Sequence, residues 1–237
     1  MHYVERTAST MDIARDMARK GAPGFSVVVA GVQEKGRGRL RRIWQSPEGG
    51  LYFTMVLRPD LPPILSPRVN FAASLILSRV IESICDIEVR VKWPNDLLLS
   101  EEKVAGMLLE NVSDPTTNKA VVVIGTGINL DNHPEDLPQP AISLDAYGLT
   151  VTPADALEAL ALTTHEWLKA WGEGATFPTI RRAWLDRAGP LGRPMRVNLN
   201  GVETEGEYAG LNPDGALRLM TSEGEKLVTA GDVFFAS

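Results

Sequence analysis

Gln33-Glu34-Lys35-Gly36-Arg37-Gly38-Arg39-Leu40-Arg41-Arg42-Ile43-Trp44 is the stretch from which the rest of the chain is read. Five basic side chains fall within its eight residues 35–42, and Gly36 and Gly38 interrupt them. Glycine takes backbone conformations that other residues avoid and lets the main chain approach a ligand closely. Guanidinium groups beside bare amides suit an anion such as phosphate or carboxylate. Trp44 adds a flat stacking surface, and Ser46-Pro47-Glu48-Gly49-Gly50 turns the chain back. On one side, Phe25 to Ala30 is an apolar, β-branched run that predicts a buried strand. On the other, Leu51 to Leu57 predicts the strand that leaves. The basic segment is therefore expected as a loop joining two neighbouring strands.

Working outward, Ser9-Thr10-Met11-Asp12 opens a helical pattern ended by Gly21. Its hydroxyls suit a helix cap, and a helix N-terminus also suits a polar ligand. Ser66-Pro67 predicts a second helix start, with Ser66 as N-cap and Pro67 at the first helical position. Val69, Ala72, Ala73, Ile76, Val80 and Ile84 form its apolar stripe. Glu88 to Lys92 alternates like a strand and runs into Lys92-Trp93-Pro94-Asn95-Asp96. Leu97–Leu99, the turn Ser100-Glu101-Glu102 and Lys103–Glu110 then predict a hairpin that returns Lys103 to Asn95 and Asp96. Ala120 to Ile124 predicts a strand ending in Gly125-Thr126-Gly127-Ile128-Asn129-Leu130. A dinucleotide fingerprint would need glycine at position 130 and a following helix; Leu130 stands there and no helical pattern follows. Two glycines beside a strand instead let a ligand lie against the backbone.

Asp131 to Pro140 is a polar, proline-containing surface loop. Thr152-Pro153 predicts a helix with Leu157, Leu160, Ala161, Thr164, Leu168 and Trp171 on one face, and Phe177 to Arg187 another helix. Gly189 to Pro194 marks a boundary, so domains over 1–188 and 189–237 are expected. Beyond it the pattern is Met195–Leu199, Val202–Leu211, Ala216–Met220, Lys226–Thr229 and Val233–Phe235, separated by turns such as Asn200-Gly201. Short strands with frequent turns predict a small barrel of SH3-like size.

The chain has 237 residues, is 44% apolar and carries a net charge of −6, which disfavours general nucleic-acid binding and makes the basic loop a local feature. Cys85 is the single cysteine, so no disulfide forms within the chain, and its apolar setting predicts a buried, inert thiol. No signal peptide and no run of 18 apolar residues is found, and a cytoplasmic location is expected. There is no Ser-His-Asp signature, no zinc spacing and no Walker A sequence, and His2, His133 and His165 lie outside the singled-out segments. What remains is a site rich in cations and amides with one carboxylate, Asp96. That composition suits phosphoryl or nucleotidyl transfer, where catalysis is mostly positioning and charge neutralisation.

Taken together, Ser9-Thr10, Gln33…Gly36-Arg37-Gly38-Arg39…Trp44, Lys92-Trp93-Pro94-Asn95-Asp96, Lys103-Val104-Ala105-Gly106 and Gly125-Thr126-Gly127-Ile128-Asn129 closely resemble the biotin protein ligase family, biotin–[acetyl-CoA-carboxylase] ligase. The match is strong over about residues 7–130 and collinear through the C-terminal strands. The resemblance implies an α+β, class II synthetase-like catalytic domain of mixed sheet and helices, followed by an SH3-like β-barrel. It implies two steps: ATP and biotin give biotinyl-5′-AMP and pyrophosphate, then a lysine of a biotin carboxyl carrier domain, of acetyl-CoA carboxylase or another biotin-dependent carboxylase, displaces AMP. Ser9, Thr10, Gln33, Gly36, Arg37, Gly38, Arg39, Lys103, Gly106 and Gly125 would hold biotin. Arg39, Arg42, Trp44, Asn95, Asp96 and Asn129 would hold ATP, with Trp44 stacked on adenine. Arg39, Asp96 and Lys103 would carry catalysis, with Mg²⁺ on the phosphates and its ligands unassigned. Gly36 and Gly38 would be hinges of a closing loop. Neither nucleic acid nor membrane is expected as a partner, and a homodimer stays open.

Longer family members begin with a helix-turn-helix repressor domain; here the ligase motifs start within the first ten residues, as in the monofunctional form. Three features depart from the family pattern: Met11 replaces the usual Asn, Arg41 stands where Gly is common, and Val233-Phe234-Phe235-Ala236-Ser237 lacks the arginine some members place there. Two other readings compete with this one. Lipoate ligases share the fold and acyl-adenylate chemistry, but the Gly-Arg-Gly-Arg-x-x-Arg-x-Trp order favours biotin. A nucleic-acid binder would explain the basic loop and SH3-like end, against the acidic charge.

Overall fold

The computed structural model describes residues 1–113, 119–135, 137, 139–172, 176–199 and 201–235, with the backbone alone for 166–172 and 199. Strands β1 (His2–Thr7), β2 (Val27–Gln33), β3 (Leu51–Leu57), β4 (Arg90–Lys92), β5 (Asp96–Leu99), β6 (Glu102–Val112) and β7 (Val121–Ile128) form a seven-stranded sheet of order β1-β2-β3-β7-β6-β5-β4. Only β1 and β2 run parallel; every other neighbouring pair is antiparallel, so the sheet is mixed.

The period-2 alternation assigns the two faces. On β7, Val121 and Val123 pack with Met11, Ala14 and Ala18 of helix α1 (Thr10–Arg19), and with Val28 and Val56. The alternate positions Ile124 and Ile128 join Phe53, Leu97 and Ala105 beneath helices α2 (Arg68–Cys85) and α3 (Pro153–Gly172). Continuing along the α1 face of β7, Gly125 and Gly127 follow the two valines. The apolar layer therefore gives way to bare backbone beyond the helix start, and this change of side-chain volume makes the site.

Helix α4 (Phe177–Leu185) and strands β8 (Pro194–Leu199), β9 (Val202–Leu211), β10 (Leu217–Thr221), β11 (Gly224–Val228) and β12 (Asp232–Phe235) complete the chain. The five strands form an antiparallel sheet of order β11-β10-β9-β8-β12, of the SH3-like size expected. It shares a core with the other side of α2: Phe71, Leu75, Trp93, Trp184, Tyr208 and Leu211 pack together, with Phe71 edge-on to Trp184 at 5.4 Å. Helix α2 thus buries two faces, where its sequence stripe predicted one. Cys85 is buried, and burial raises its thiol pKa.

Several local expectations need correction. Strand β1 was not legible, because it is an edge strand with most residues exposed and hence polar. Pro67, not Ser66, precedes the first turn of α2, and a 3₁₀ turn over Pro63–Leu65 takes up the approach. Gly125 and Gly127 lie within β7 rather than after it. The Leu168 and Trp171 side chains, Asn200, Ala236 and Ser237 lie outside the described residues.

Candidate active site

The basic loop forms a tight curl. Lys35 N–H donates to Ala8 O (2.8 Å), tying it to the β1–α1 junction, and Trp44 N–H donates to Gly36 O (2.9 Å). A Cβ at Gly36 would stand 2.3 Å from Trp44 O, so only glycine permits this crossing. The left-handed turn at the tip falls on Leu40 (φ 53°) and Arg41 (φ 61°), not on the two glycines. In this conformation Gly36 is fixed by its close approach to Trp44, and Gly38 has an ordinary negative φ of −105°.

Beneath the curl lies a cavity of about 310 Å³. Of the fifteen residues predicted for the site, fourteen line it: Ser9, Thr10, Gln33, Arg37, Gly38, Arg39, Arg42, Trp44, Asn95, Asp96, Lys103, Gly106, Gly125 and Asn129. Gly36 stands behind the wall and supports Trp44. The residue assignments left out Met11, Thr126, Gln139 and Asp232–Phe234, which also line it. Gly127, read with Gly125 as backbone open to a ligand, lines it too and shares the face of Gly125 at strand period. Asp232–Phe234 carry no motif and arrive only through packing of the C-terminal sheet.

One end is built at the start of α1. Ser9 Oγ caps Met11 N–H (3.4 Å). Gln33 Oε1 accepts from both the backbone N–H (2.9 Å) and the hydroxyl (3.0 Å) of Thr10, and Gln33 Nε2 donates to Ser46 Oγ (3.0 Å). Thr10 Oγ1 lies 2.7 Å from Thr54 Oγ1. This network pre-orients the polar end. Met11, buried, lays its thioether over Gly125, so the usual Asn position contributes apolar volume here.

The floor is a row of cross-strand partners. Tyr52, Gly127, Gly106, Asp96 and Lys92 sit opposite one another on β3, β7, β6, β5 and β4. Trp44 covers the glycine pair: a Cβ on Gly127 would fall 2.3 Å from its Nε1, and one on Gly106 2.9 Å from its Cζ3. Asp96 Oδ1 pairs with Lys103 Nζ at 2.6 Å, and that ammonium lies 5.1 Å from the centroid of the Trp44 ring. Asn95 Nδ2 donates to Met107 O, and Asn129 Nδ2 to Lys103 O (3.3 Å) and Ile142 O (3.1 Å). Both amides thus brace the strands that carry Asp96 and Lys103.

The arginines divide their work. Arg37 Nη1 donates to Asp12 Oδ1 (2.8 Å), while its Nε and Nη2 are buried without a partner among the described residues, as is Trp44 Nε1. Arg39 Nη1 donates to Gly231 O (2.9 Å), and Arg42 pairs with Asp232. Burial lowers the Arg39 pKa, Asp96 opposes that shift, and Arg42 adds to it. Unsatisfied buried donors are costly unless something completes them. A cavity lined by Arg37, Arg39, Arg42 and Lys103, with Trp44 laid over its glycine floor, suits an anionic ligand with a flat ring.

Comparison with known proteins agrees. Residues 3–129 match the model of the biotin/lipoate A/B protein ligase family, and residues 191–236 that of the biotin protein ligase C-terminal domain. A biotin–[acetyl-CoA-carboxylase] ligase of Paracoccus denitrificans is 36% identical over 97% of this chain and 98% of its own length. The bifunctional ligase/repressor BirA of Bacillus subtilis (strain 168) is 32% identical over 98% of this chain and 72% of its own. The biotin protein ligase of Aquifex aeolicus, solved with biotin and ATP, superposes with a TM-score of 0.82 at 28% identity, covering 99% of this chain and 97% of that one. With both sheets accounted for, the chain belongs to the biotin protein ligase family.

Proposed function

We propose that the protein activates biotin with ATP as biotinyl-5′-AMP and transfers the biotinyl group to a lysine of a biotin carboxyl carrier domain. The observation that carries this reading is a glycine-floored cavity lined by Arg37, Arg39, Arg42 and Lys103, with Trp44 laid over its floor and Asp96 paired to Lys103. Two anions, a carboxylate and a triphosphate, must meet for adenylation. Fixed cations in a water-poor cavity offset their repulsion without reorganising during the reaction.

The residues take the following parts. The Ser9–Thr10–Gln33 network and the floor at Gly125 orient biotin, and Arg37 offers its spare donors to it or to the phosphate. Lys103 sits where the carboxylate oxygen and the α-phosphorus come together. The new bond joins that oxygen to the phosphorus, and the bond to pyrophosphate breaks with its electrons on the departing oxygen. Trp44 faces the adenine. In the second step the acceptor lysine must lose a proton, and Asp96 is the one carboxylate on the floor row. Mg²⁺ commonly reaches proteins through one or two carboxylates plus substrate phosphates. Asp96 beside the cavity fits that mode, since no group of three or more His, Cys, Asp or Glu able to hold a metal exists among the described residues. Bound with the nucleotide, the metal would supply charge neutralisation on the phosphates.

The test is incubation with biotin, Mg²⁺-ATP and a carboxyl carrier domain, followed by intact mass. One biotinyl addition on a single carrier lysine, with pyrophosphate release that depends on biotin, is expected. Pyrophosphate release driven by lipoate instead of biotin would overturn the substrate assignment.

A further inference from the structure

Behind the glycine floor lies a second cavity, of about 660 Å³, larger than the active-site cavity itself. A single layer of backbone separates the two. On the far face of the sheet Phe53, Thr126 and Met107 are cross-strand partners on β3, β7 and β6, and all three line the second cavity. The next row along the same strands is Tyr52, Gly127 and Gly106, whose glycines floor the active site. Alternate residues of a strand point to opposite faces, and these glycines put no side chain on theirs. Thr126 and Met107 accordingly border both cavities.

The walls of the second cavity are apolar, with Met55, Ile76, Leu77 and Ile124 among them, and its size is that of a small-molecule pocket. Its charged lining residues are Arg58, Asp60 and Arg68, none of them buried, so charge gathers at the mouth and not in the interior. Asp60 is engaged with Lys119 at 2.8 Å. Arg68 Nη2 donates to Asp214 Oδ1 at 3.0 Å, a carboxylate 80% exposed. A surface pair of this kind contributes little, so a carboxylate arriving from the cavity can replace Asp214 on the guanidinium. The Arg68 guanidinium lies 4.5 Å from the centroid of the Phe177 ring, which also lines the cavity and holds the cation at its edge. Phe25 belongs to the same lining, 47% exposed and in the left-handed conformation at φ 65°. A bulky residue held there is strained, and such strain gathers at ligand clamps. Its N–H donates to Val56 O at 2.7 Å, which fixes it in place.

We propose that this cavity is a second ligand site, for a medium-chain fatty acid, with the chain against the apolar walls and the carboxylate on Arg68. Its coupling to the active site rests on the biotin reading above. Trp44 already lies on the backbone of Gly127 and Gly106, so the floor has no room to rise. A chain pressing on Thr126 and Met107 from behind shifts that backbone towards the ring and narrows the biotin cavity. Met107 N–H donates to Asn95 O (3.0 Å), and Asn95 Nδ2 donates to Met107 O, so the strand that carries Asp96 moves with it. Occupancy therefore weakens biotin binding, and by linkage biotin weakens fatty-acid binding by the same factor.

The experiment is calorimetry on the whole chain with dodecanoate, and with dodecanol, which has the same chain without the charge. One dodecanoate per chain is expected, with dodecanol at least about tenfold weaker, the range of one charge-assisted contact. Arg68→Met should lose that preference. Ala73→Phe, which puts a ring into the cavity from α2, should lose both ligands; Arg68→Met decides the question if Ala73→Phe does not fold. Equal affinity of wild type for acid and alcohol, or undiminished dodecanoate binding in either folded variant, overturns the site. Biotin affinity, measured against rising dodecanoate, should fall about fivefold or more and then level off. A fall that never levels means that both ligands share the catalytic cavity, and an unchanged biotin affinity removes the coupling; either result overturns the proposal. Dodecanoate bound by a wild type that binds no biotin would instead overturn the biotin reading and leave the second site standing.

Discussion

At the scale of single residues, the site is defined by which charges have partners. Lys103 and Asp96 satisfy one another, and removing either leaves the other exposed to a cavity built for opposite charge. Lys103→Ala should keep the fold, because the side chain is at the wall and not in the core. Biotin-dependent pyrophosphate release should fall by about 100-fold, the upper range for a contact to a charged group. Release at the wild-type rate would make Lys103 a bystander. Lys92 gives a prediction about stability. Its pKa drops from the ordinary 10.5 to about 8 on folding, with burial the main cause. The unfolded chain therefore holds the proton between those values while the folded one does not, and stability rises with pH across that window. Relative to Lys92→Met, wild type should gain on the order of 3 kcal/mol between pH 8 and 10.5, at about 1.36 kcal/mol per pKa unit. Denaturant melts of the two proteins at both pH values measure the difference. A constant difference would mean the ammonium is hydrated.

At the scale of elements, the glycines of β6 and β7 decide what the basic loop can rest on. Trp44 touches the backbone of Gly127 so closely that any side chain there must displace the ring. The strand itself should tolerate alanine, since Gly127 is absent from the positive-φ positions. Gly127→Ala should therefore leave secondary structure intact, cost about 1–3 kcal/mol through overpacking and raise the KM for ATP more than that for biotin. Tryptophan fluorescence should report the displaced ring; an unshifted spectrum with unchanged KM values would place Trp44 elsewhere. The same elements show what a sequence conveys. The apolar run from Ala120 to Ile124 was legible as a strand, but its continuation through Gly125 and Gly127 to Ile128 resembled a loop because bare backbone has no signature of its own. Leu40 and Arg41 carry the left-handed turn with no glycine to announce it.

At the scale of the whole molecule, the C-terminal sheet is a wall of the active site. Gly231 and Asp232 hold Arg39 and Arg42, Trp93 Nε1 donates to Gly215 O (3.2 Å), and Arg193 stacks on Phe235 at 3.8 Å. The basic loop is closed by contacts from residues nearly 200 positions away in the chain. Asp232→Ala should loosen the loop, raise the KM for ATP several-fold and speed proteolysis after Arg41 or Arg42, while biotin binding in the absence of nucleotide holds. Adding ATP and biotin should restore protection. Equal proteolysis of variant and wild type would mean that the loop closes without the latch.

The sequence by itself determined which residues make up the candidate site. Gly36-Arg37-Gly38-Arg39, Lys92-Trp93-Pro94-Asn95-Asp96 and Gly125-Thr126-Gly127 are local runs, and their chemistry follows from residue types a few positions apart. Hairpin connectivity between Leu97 and Glu110 was enough to bring Lys103 to Asp96. Only the tertiary structure decided that Lys92 lies on the same row as the floor glycines, because register between strands depends on pairing across the sheet. It alone placed Asp232, Val233 and Phe234 along the cavity, since no local pattern encodes which surface of one sheet a distant strand will cover. Which donors stay unpartnered is likewise a property of packing, as partners are assigned by the folded chain and not by neighbours in sequence.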